Sequence, residues 1–240
     1  MEYSNNSLTP KVVLGVAAHP DDLDFGASAT LAKYAQSGAA VYYLILTDGS
    51  KGSDDHHISS EELVKLRREE QRAALLAIGG RGVTFLNYPD SALEVSIELK
   101  KDIVREIRLR KPDIVVTNDP TMVYSRRRGY INHPDHRAAG QATLDAIFPL
   151  ARDHLTFPEL LNEGLMPHKT KTVLLNNFDE QNYYEDVSNT LELKWQALKC
   201  HASQINDFAA AKERFTHFAE LNGKQAGCKY AEGFIRLDIG

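Results

Sequence analysis

The sequence predicts an α/β fold, a Rossmann-like and mostly parallel sheet with helices on both faces, organised as a single domain over residues 1–240. Two observations carry this prediction. Short runs rich in β-branched and aromatic residues alternate with longer segments of helical periodicity, which is the pattern of βαβ units. The first of these runs, KVVLGVAAH at residues 11–19, is almost continuously apolar, as expected of a strand that helices cover on both faces of the sheet.

The first half of the chain predicts strands and helices in strict alternation. The predicted strands are 11–19, 40–49 and 83–88, and the predicted helices are 25–37 and about 59–78. Gly38 and the pair Gly79-Gly80 follow the two helices as stop signals. The second helix opens with the Ser-Glu chemistry of a capping box. Its apolar residues at helical spacing are Leu63, Leu66, Ala73, Ala74 and Ile78.

The second half continues the alternation with longer connections. A third helix near 94–110 is separated by Pro112 from a fourth strand at 113–119. A loop of about a dozen residues follows, and loops of that length are more often functional than structural. The remaining predicted elements are a helix from about 133 to 147, a strand at 170–177, helices at about 190–204 and 208–222, and a segment at 231–239 that is either helical or extended.

Polar residues follow three of the predicted strands. The first strand runs into His19-Pro20-Asp21-Asp22, the second into Thr47-Asp48-Gly49 and the fourth into Asn118-Asp119-Pro120. Because ligands of open parallel sheets bind outside the carboxyl ends of the strands, we expect a ligand pocket at this edge. The sequence has no glycine-rich phosphate-binding turn and no G-x-S-x-G motif, which argues against a nucleotide site and against a serine hydrolase.

Two histidine motifs indicate a metal site at that edge. His19 and Asp22 lie three residues apart after the first strand, and His133-Pro134-Asp135-His136 repeats the arrangement at the start of a helix. Together with His19 and Asp22, one of the two later histidines would complete a three-ligand site and leave a fourth tetrahedral position to water, as a catalytic zinc site requires. Zinc lowers the pKa of bound water from about 15.7 to about 7 and so provides a nucleophile at neutral pH.

The two further aspartates of these motifs have roles in such a site. If a divalent metal keeps Asp22 ionised, Asp21 is free to take the proton of the water molecule. Asp135, between the two late histidines, would hold one imidazole in a single tautomer. Each motif by itself is also typical of a helix start, where proline and aspartate are favoured. Both motifs together, at strand ends, favour the metal site.

Composition limits the partners and the location that we expect. The net charge of −5 argues against a nucleic-acid partner. No apolar run approaches the roughly 20 residues of a membrane helix, so we expect no membrane span. The first residues lack a signal-peptide pattern, which makes the cytoplasm the expected location. Oligomeric state is not specified by the sequence, and a homo-oligomer is compatible with it.

Four motifs resemble the LmbE/PIG-L family of zinc-dependent de-N-acetylases. They are A-H-P-D-D at 18–22, T-D-G-S-K-G at 47–52, R-x-x-E-x-x-x-A-x-x-x-I-G at 67–79 and H-P-D-H-R at 133–137. Two segments near the C-terminus, 194–204 and 230–234, are similar to the family as well, so the resemblance spans nearly the whole chain. It implies a Rossmann-like fold, Zn²⁺ as the cofactor, and removal of the acetyl group from a small N-acetylglucosamine-type amino sugar.

The resemblance also implies roles for individual residues. By their positions in the motifs, the residues that match the family's zinc ligands are His19, Asp22 and His136. Asp21 matches the general base, His133 the histidine that stabilises the oxyanion and assists departure of the amine, and Asp135 the carboxylate partner of that histidine. The residues that match sugar contacts are Arg67, Asp90 and Tyr130.

Two other function classes stay open. Two histidines and one carboxylate also form the metal site of non-haem iron oxygenases, so the ligand set alone does not separate zinc from iron. A non-catalytic metal- or sugar-binding module would keep the same residues. His201 and Gln204 are compatible either with core packing or with a substrate contact. The group beyond the amide is not specified, because the loops at 121–131 and 151–170 that would select it carry no recognisable pattern.

Overall fold

The strands in the described part of the chain form one seven-stranded sheet and one short hairpin. The computed structural model describes residues 7–126 and 128–239. The sheet strands are β1 (Val12–Ala17), β2 (Ala40–Thr47), β3 (Gly82–Tyr88), β4 (Ile114–Asn118), β7 (Thr172–Asn176), β8 (Tyr183–Asp186) and β9 (Ala231–Asp238), and the hairpin strands are β5 (Tyr124–Ser125) and β6 (Tyr130–Ile131). The order across the sheet is β3-β2-β1-β4-β7-β9-β8.

Helices connect these strands. They are α1 (Asp22–Gly26), α2 (Ser28–Gln36), α3 (Ser60–Ala77), α4 (Ile97–Arg110), α5 (Pro134–Asp145), α6 (Glu159–Asn162), α7 (Leu191–Cys200) and α8 (Phe208–Ala226). α5 is followed by a kinked segment at Ala146–Leu150, in which the backbone of Phe148 is extended, with a φ of −142°. The predicted capping box of α3 is present, because Ser59 and Glu62 exchange side-chain and backbone hydrogen bonds.

An apolar layer covers each face of the sheet. Val13 and Leu14 of β1 point to opposite faces, and both are fully buried. Residues of α2, α3 and α7 pack on the face of Val13, whereas residues of α4 and α5 pack on the face of Leu14. β1, β2, β3, β4 and β7 are parallel to their neighbours within this group. The predicted fold class is therefore confirmed.

The sheet ends in an antiparallel portion that the sequence did not define. Residues 231–239, for which the sequence left helix and strand open, contain strand β9. This strand pairs antiparallel with β7 on one side and with β8 on the other. β8, the short helix α6 and the hairpin of β5 and β6 were not predicted. Each has four residues or fewer per element, which is too few to show a hydrophobic period.

The predicted helix at 25–37 is two helices. Its first part begins earlier, at Asp22, where Asp22 and Asp24 occupy the first turn and interact favourably with the helix dipole. Ala27 interrupts the helix with a φ of −146°. The break lets α1 place the residues after β1 at the carboxyl edge while α2 packs on the sheet.

The buried face of α3 is partly polar, contrary to the predicted apolar stripe. Leu66 is 39% exposed and Ala73 is exposed, so neither belongs to the core. Their places on the buried face are taken by Arg67 and Gln71, which are 4% and 0% exposed. The reason is local, since both side chains bond to the loops at the carboxyl edge of the sheet.

That edge contains the point where strand order reverses, between β1 and β4. Ligand sites of open α/β sheets lie at such points. The turn after β1 and the start of α5 meet there. Among the helices of residues 7–126 and 128–239, none has the length and apolar character to cross a bilayer.

Candidate active site

The turn after β1 places three predicted site residues side by side. β1 ends at Ala17, and His19, Asp21 and Asp22 follow at the start of α1. Asp21 has a backbone φ of 97°, a conformation that is strained for a residue with a side chain. Its N–H donates to Oε1 of Gln71 at 2.8 Å, which holds the strained turn in place. The backbone N–H of His19 donates to Oδ2 of Asp22 at 3.0 Å and fixes that carboxylate.

Three side chains converge on one point beside this turn. Nδ1 of His19 lies 3.3 Å from Nε2 of His136 and 3.6 Å from Oδ2 of Asp22. Nε2 of His136 lies 3.0 Å from Oδ1 of Asp22. The other nitrogen of His136, Nδ1, lies 3.0 Å from Oδ1 of Asn132, which accepts the ring proton there and leaves Nε2 free to bind a metal. The three predicted ligands therefore form one group.

The spacing of these atoms fits a tetrahedral zinc ion. Two ligand atoms held about 2.1 Å from zinc at the tetrahedral angle lie about 3.4 Å apart. In the structure the two histidine nitrogens lie 3.3 Å apart, and Asp22 approaches His136 through Oδ1 at 3.0 Å and His19 through Oδ2 at 3.6 Å. One ligand atom from each of the three residues lies within 4.8 Å of the other two. Imidazole nitrogen and carboxylate oxygen are donors that zinc prefers, although the same donors also suit ferrous iron.

The second ring nitrogen of His19 contacts two more carboxylates. Nε2 lies 3.2 Å from Oδ2 of Asp135 and 3.3 Å from Oδ1 of Asp90. Burial lowers the pKa of His19, but hydrogen bonds to Asp135, Asp22 and Asp90 outweigh burial and raise that pKa to about 12. The field at the cluster is therefore strongly negative and favours a bound cation.

Asp135 is fixed by the loop after β3. Its carboxylate accepts from the backbone N–H of Ser91 at 2.7 Å and of Leu93 at 3.2 Å. The family resemblance pairs this carboxylate with His133, but it lies 4.0 Å from Nδ1 of His133 and 3.2 Å from Nε2 of His19. A carboxylate on the outer nitrogen of a metal-binding histidine fixes its tautomer, so Asp135 orients His19.

His133 faces the cluster from the start of α5. It is the N-cap residue of that helix, and its Nδ1 accepts from the backbone N–H of Asp135 at 3.2 Å. Burial and the nearby charge of His19 lower the pKa of His133, so the ring is neutral near pH 7. A neutral ring whose Nδ1 accepts a hydrogen bond carries its proton on Nε2. Because 36% of the side chain is exposed, this N–H can donate to a ligand.

Asp21 is a buried carboxylate with a perturbed pKa. Burial and the negative charge of Asp22 raise the pKa of Asp21 to about 6, although Arg67 opposes the change. Nη2 of Arg67 donates to Oδ2 of Asp21 at 3.3 Å and fixes its orientation. A group whose pKa lies near neutrality can both take and return a proton. The raised pKa of Asp21 is therefore in the range in which a carboxylate exchanges protons near neutral pH.

Arg67 and Asp90 are almost completely buried, each with 4% exposure. The guanidinium of Arg67 donates to the backbone oxygens of Pro20, Gly49 and Lys51 at 2.9 to 3.2 Å. Oδ2 of Asp90 accepts from the N–H of Lys51 at 3.1 Å and lies 3.9 Å from Nη1 of Arg67. The two side chains thus tie the loop after β2 to the turn after β1. Their role as sugar contacts stays a prediction.

A cleft of about 700 Å³ opens beside the cluster. Asp22 and His136 line it, and so does Tyr130, whose hydroxyl donates to Oδ1 of Asn132 at 3.1 Å. Further lining residues are the aromatic Phe25, Phe178, Phe215 and Phe218 and the amides of Asn118 and Asn176. A ligand in this cleft therefore lies next to Asp22 and His136, two of the three predicted metal ligands.

A buried network lies behind the turn, and the sequence indicated only one part of it, since core packing was one of the two alternatives for His201. Nε2 of His201 lies 2.8 Å from Oδ2 of Asp24, and both side chains are fully buried. Nε2 of Gln71 donates to the same oxygen at 2.7 Å, and the hydroxyl of Tyr43 donates to Oδ1 of Asp24 at 3.2 Å. His201 is therefore a buried support of the turn. The sequence signal that could have indicated this network is the pair Arg67 and Gln71. These two polar residues lie four positions apart, on the face of α3 that also carries Leu63 and Ala74.

Comparison with known proteins gives relatives along most of the chain. Residues 14–147 match the family described as PIG-L: GlcNAc-PI de-N-acetylase. The diacetylchitobiose deacetylase of Thermococcus kodakarensis is 35% identical over 225 residues, which cover 93% of this chain and 82% of that protein. The likeness therefore extends well beyond the motifs.

Solved structures agree with this relationship. The N,N'-diacetylchitobiose deacetylase of Pyrococcus horikoshii superposes with a TM-score of 0.87 at 30% identity, covering 95% of this chain and 84% of that one. GalB, the 4-carboxy-2-hydroxymuconate hydratase of Pseudomonas putida KT2440, has a TM-score of 0.80 at 21% identity, with 96% and 97% coverage, and shows the fold alone. From the motifs, the fold and the family match over 14–147, the chain belongs to the PIG-L (LmbE-like) family.

Proposed function

We propose that this protein is a zinc-dependent deacetylase that hydrolyses the acetamide of an N-acetylglucosamine-type sugar. The observation that carries the proposal is the convergence of His19, Asp22 and His136 within 3.6 Å of one another, with the buried carboxylate of Asp21 next in sequence. Two relatives that cover most of the chain are deacetylases of N-acetylated sugars by name. The cleft beside the cluster provides room for such a substrate.

Each side chain of the site has a separate role in the proposed reaction. When bound, zinc supplies a Lewis acid for the amide carbonyl and acidifies a water molecule. His19, Asp22 and His136 hold the ion, and Asp135 keeps Nδ1 of His19 directed toward it. Asp21 takes the proton of the water molecule, because its raised pKa makes it a stronger base than an ordinary aspartate.

His133 acts on the carbonyl oxygen of the amide. Its Nε2–H donates to the amide oxygen as negative charge develops there, an interaction worth about 3 to 4 kcal/mol in the transition state. The deprotonated water oxygen forms a bond to the carbonyl carbon, the proton that Asp21 took up moves to the amide nitrogen, and the C–N bond breaks, while the hydrogen bond from His133 assists departure of the amine. The products are acetate and a free amine. We assign Arg67, Asp90 and Tyr130 to binding and orienting the sugar.

The test is acetate release by the purified protein. We expect N,N'-diacetylchitobiose or N-acetylglucosamine to yield acetate and amine in equal amounts. A chelator should stop the release, and added Zn²⁺ should restore it. Full zinc occupancy without acetate release from any N-acetylated sugar would contradict the proposal and leave a binding module.

The iron alternative is separated by its co-reactants. An oxygenase would consume O₂ in the presence of Fe²⁺ and a 2-oxoacid, whereas hydrolysis needs neither O₂ nor a 2-oxoacid. Equal acetate release in air and under argon is the expected result for the deacetylase.

A further inference from the structure

We propose that Asn132 positions the metal ligand His136, and that through this residue the β5–β6 hairpin and a bound metal ion stabilise each other. The proposal rests on the metal site of the proposed function, but not on the reaction assigned to that site. It adds a positioning residue outside the three side chains that would hold the ion.

Asn132 has hydrogen-bond partners on two sides. It lies between β6 and α5 and is 3% exposed. Toward the hairpin, its backbone N–H donates to the oxygen of Val123 at 2.9 Å, and its Nδ2 donates to the oxygen of Met122 at 2.7 Å. Toward the metal cluster, its Oδ1 lies 3.0 Å from Nδ1 of His136. One residue therefore joins the hairpin to the outer nitrogen of a proposed metal ligand.

These partners determine the orientation of the Asn132 amide. The backbone oxygen of Met122 can only accept a hydrogen bond, so Nδ2 faces it and Oδ1 faces His136. An acceptor at Nδ1 of His136 holds the ring proton there and leaves the lone pair of Nε2 for a metal. The place of Asn132 in the fold thus selects the tautomer and the ring orientation of His136 that bind an ion.

The two histidines of the proposed metal site are supported in different ways. The outer nitrogen of His19 faces the carboxylates of Asp135 and Asp90, which are 1% and 4% exposed. The outer nitrogen of His136 faces a neutral amide that belongs to the connection between a hairpin and a helix. Because a neutral amide adds no charge to the site, it acts on His136 through its position. The geometry of this ligand therefore depends on the hairpin.

The hairpin buries little surface that would fix its position. β5 and β6 have two residues each and pair at two positions. Ile131, Tyr124 and Val123 are 81%, 56% and 50% exposed. A two-stranded hairpin with so little burial is marginally stable by itself. A metal ion that fixes His136 should therefore stabilise the hairpin, and by linkage an ordered hairpin should strengthen metal binding.

The same amide oxygen also contacts the cleft wall. The hydroxyl of Tyr130, which lines the cleft, donates to Oδ1 of Asn132 at 3.1 Å. Tyr130 and His136 thus share one acceptor atom. A ligand that displaces Tyr130 acts on the atom that orients the metal ligand.

Zinc affinity, measured by competition with a chelator, is the first test. Loss of such a partner typically costs 10- to 100-fold in metal affinity, so Asn132→Ala should raise the zinc Kd by about that factor. The matched control is Asn177→Ala, which should keep the wild-type Kd. Asn177 is 4% exposed and also uses both polar atoms of its amide. The partners of that amide are Asp119, Asp179 and Glu180.

Asn132→Asp distinguishes orientation of the ligand from general support of the loop. Aspartate keeps an oxygen that accepts from Nδ1 of His136 but lacks the N–H that donates to Met122. With Co²⁺ in place of zinc, Asn132→Asp should show the wild-type visible absorption and Asn132→Ala an altered one, because this absorption reports the ligands of the ion. The added charge of aspartate can raise affinity but does not restore a lost ligand. An equally altered spectrum in both variants would overturn the positioning role.

Hydrogen exchange tests the linkage between the hairpin and the metal. In the wild type, zinc should slow exchange of the backbone N–H of Asn132, which donates to Val123. The same N–H remains in Asn132→Ala, where zinc should slow its exchange less. Equal exchange with and without zinc in the wild type would overturn the linkage.

None of these measurements requires turnover, which separates this proposal from the proposed function. If the wild type binds zinc but releases no acetate, the deacetylase assignment fails, and the zinc Kd values still decide the role of Asn132. A zinc Kd in Asn132→Ala equal to that of the wild type overturns this role and leaves the deacetylase assignment intact. A wild type that binds no divalent metal overturns both.

Discussion

Two neighbouring regions of the carboxyl edge differ in how their polar groups are bonded. Around the turn after β1, each carboxylate has several hydrogen-bond partners. Asp135 accepts from two backbone N–H groups and contacts His19. Asp90 accepts from the N–H of Lys51 and from the hydroxyl of Ser91. At the ends of β4 and β7, the amide oxygens of Asn118 and Asn176 have no partner within the described residues.

The difference distinguishes fixed polar groups from unpaired ones. A reacting centre gains from groups whose positions are fixed before the substrate arrives, because no reorganisation is then needed in the transition state. The first region, where the proposed metal ligands and the proposed base lie, has such fixed groups. A buried oxygen without a partner instead costs about 1 to 3 kcal/mol of stability, and the second region contains two of them.

Loss of a metal ligand is expected to have the largest effect. His136→Ala removes one of three converging donors, so the protein should lose its zinc and its acetate release should fall below detection. Metal content by mass spectrometry and acetate release are the measurements. His154→Ala is the matched control, because the side chain of His154 is 72% exposed, and it should retain both properties. Retention of zinc and turnover by His136→Ala would remove the basis for the metal site.

Asp21→Asn tests the proposed general base and leaves all three proposed metal ligands in place. Asparagine is one of the residues that tolerate a positive φ, so the turn is kept. Loss of the proton acceptor should lower kcat by about 10² to 10⁴, while zinc content stays that of the wild type. A kcat close to that of the wild type would show that another group takes the proton.

His201→Asn tests the buried support behind the first region. The variant removes the partner of a fully buried carboxylate, so the free energy of unfolding should fall by about 3 to 5 kcal/mol. Urea denaturation gives this value. His217→Asn on the exposed side of α8 is the control and should change the free energy by less than about 0.5 kcal/mol.

The same pair predicts a pH dependence of stability. Burial lowers the pKa of His201, but its hydrogen bond with Asp24 outweighs burial and raises the pKa above 6.5. A histidine whose pKa is raised by folding contributes its full stability below its unfolded pKa and loses it as the pH rises through the folded pKa. The difference in unfolding free energy between the wild type and His201→Asn should therefore shrink as the pH is raised above 6.5. A difference independent of pH would mean that the pair does not hold a proton.

Gly26→Ala is expected to have the smallest effect and to act on the second region. A Cβ on Gly26 would lie 2.5 Å from Nδ2 of Asn176, so this amide must shift. The free energy of unfolding, measured by urea denaturation, should fall by about 1 to 3 kcal/mol, while zinc content stays unchanged. In the control Gly82→Ala, the new Cβ would meet Tyr42 at an ordinary 3.8 Å, and the free energy should change less. An unchanged free energy of unfolding in Gly26→Ala would show that the amide of Asn176 shifts without cost.

Most of the fold followed from pattern. The parallel strands and the long helices were predictable because buried strands are continuously apolar and helices repeat about every 3.6 residues. β8, α6 and the β5–β6 hairpin were not, since each is shorter than a readable period. The prediction that Leu66 belongs to the core was wrong for a different reason. Its spacing suits the core, but Arg67 occupies the buried position because its guanidinium donates to the loops after β1 and β2.

The sequence by itself determined the family and the residue types of the candidate site, because the HPDD and HPDH motifs place histidine and aspartate after β1 and at the start of α5. Tertiary structure decided the partners: the carboxylate of Asp135 lies closer to His19 than to His133, Gln71 and His201 support the strained turn, and Asn118 meets Asn176 across β4 and β7. These contacts join residues up to 177 positions apart. Only the packing of the chain brings such residues together, and no local pattern records it.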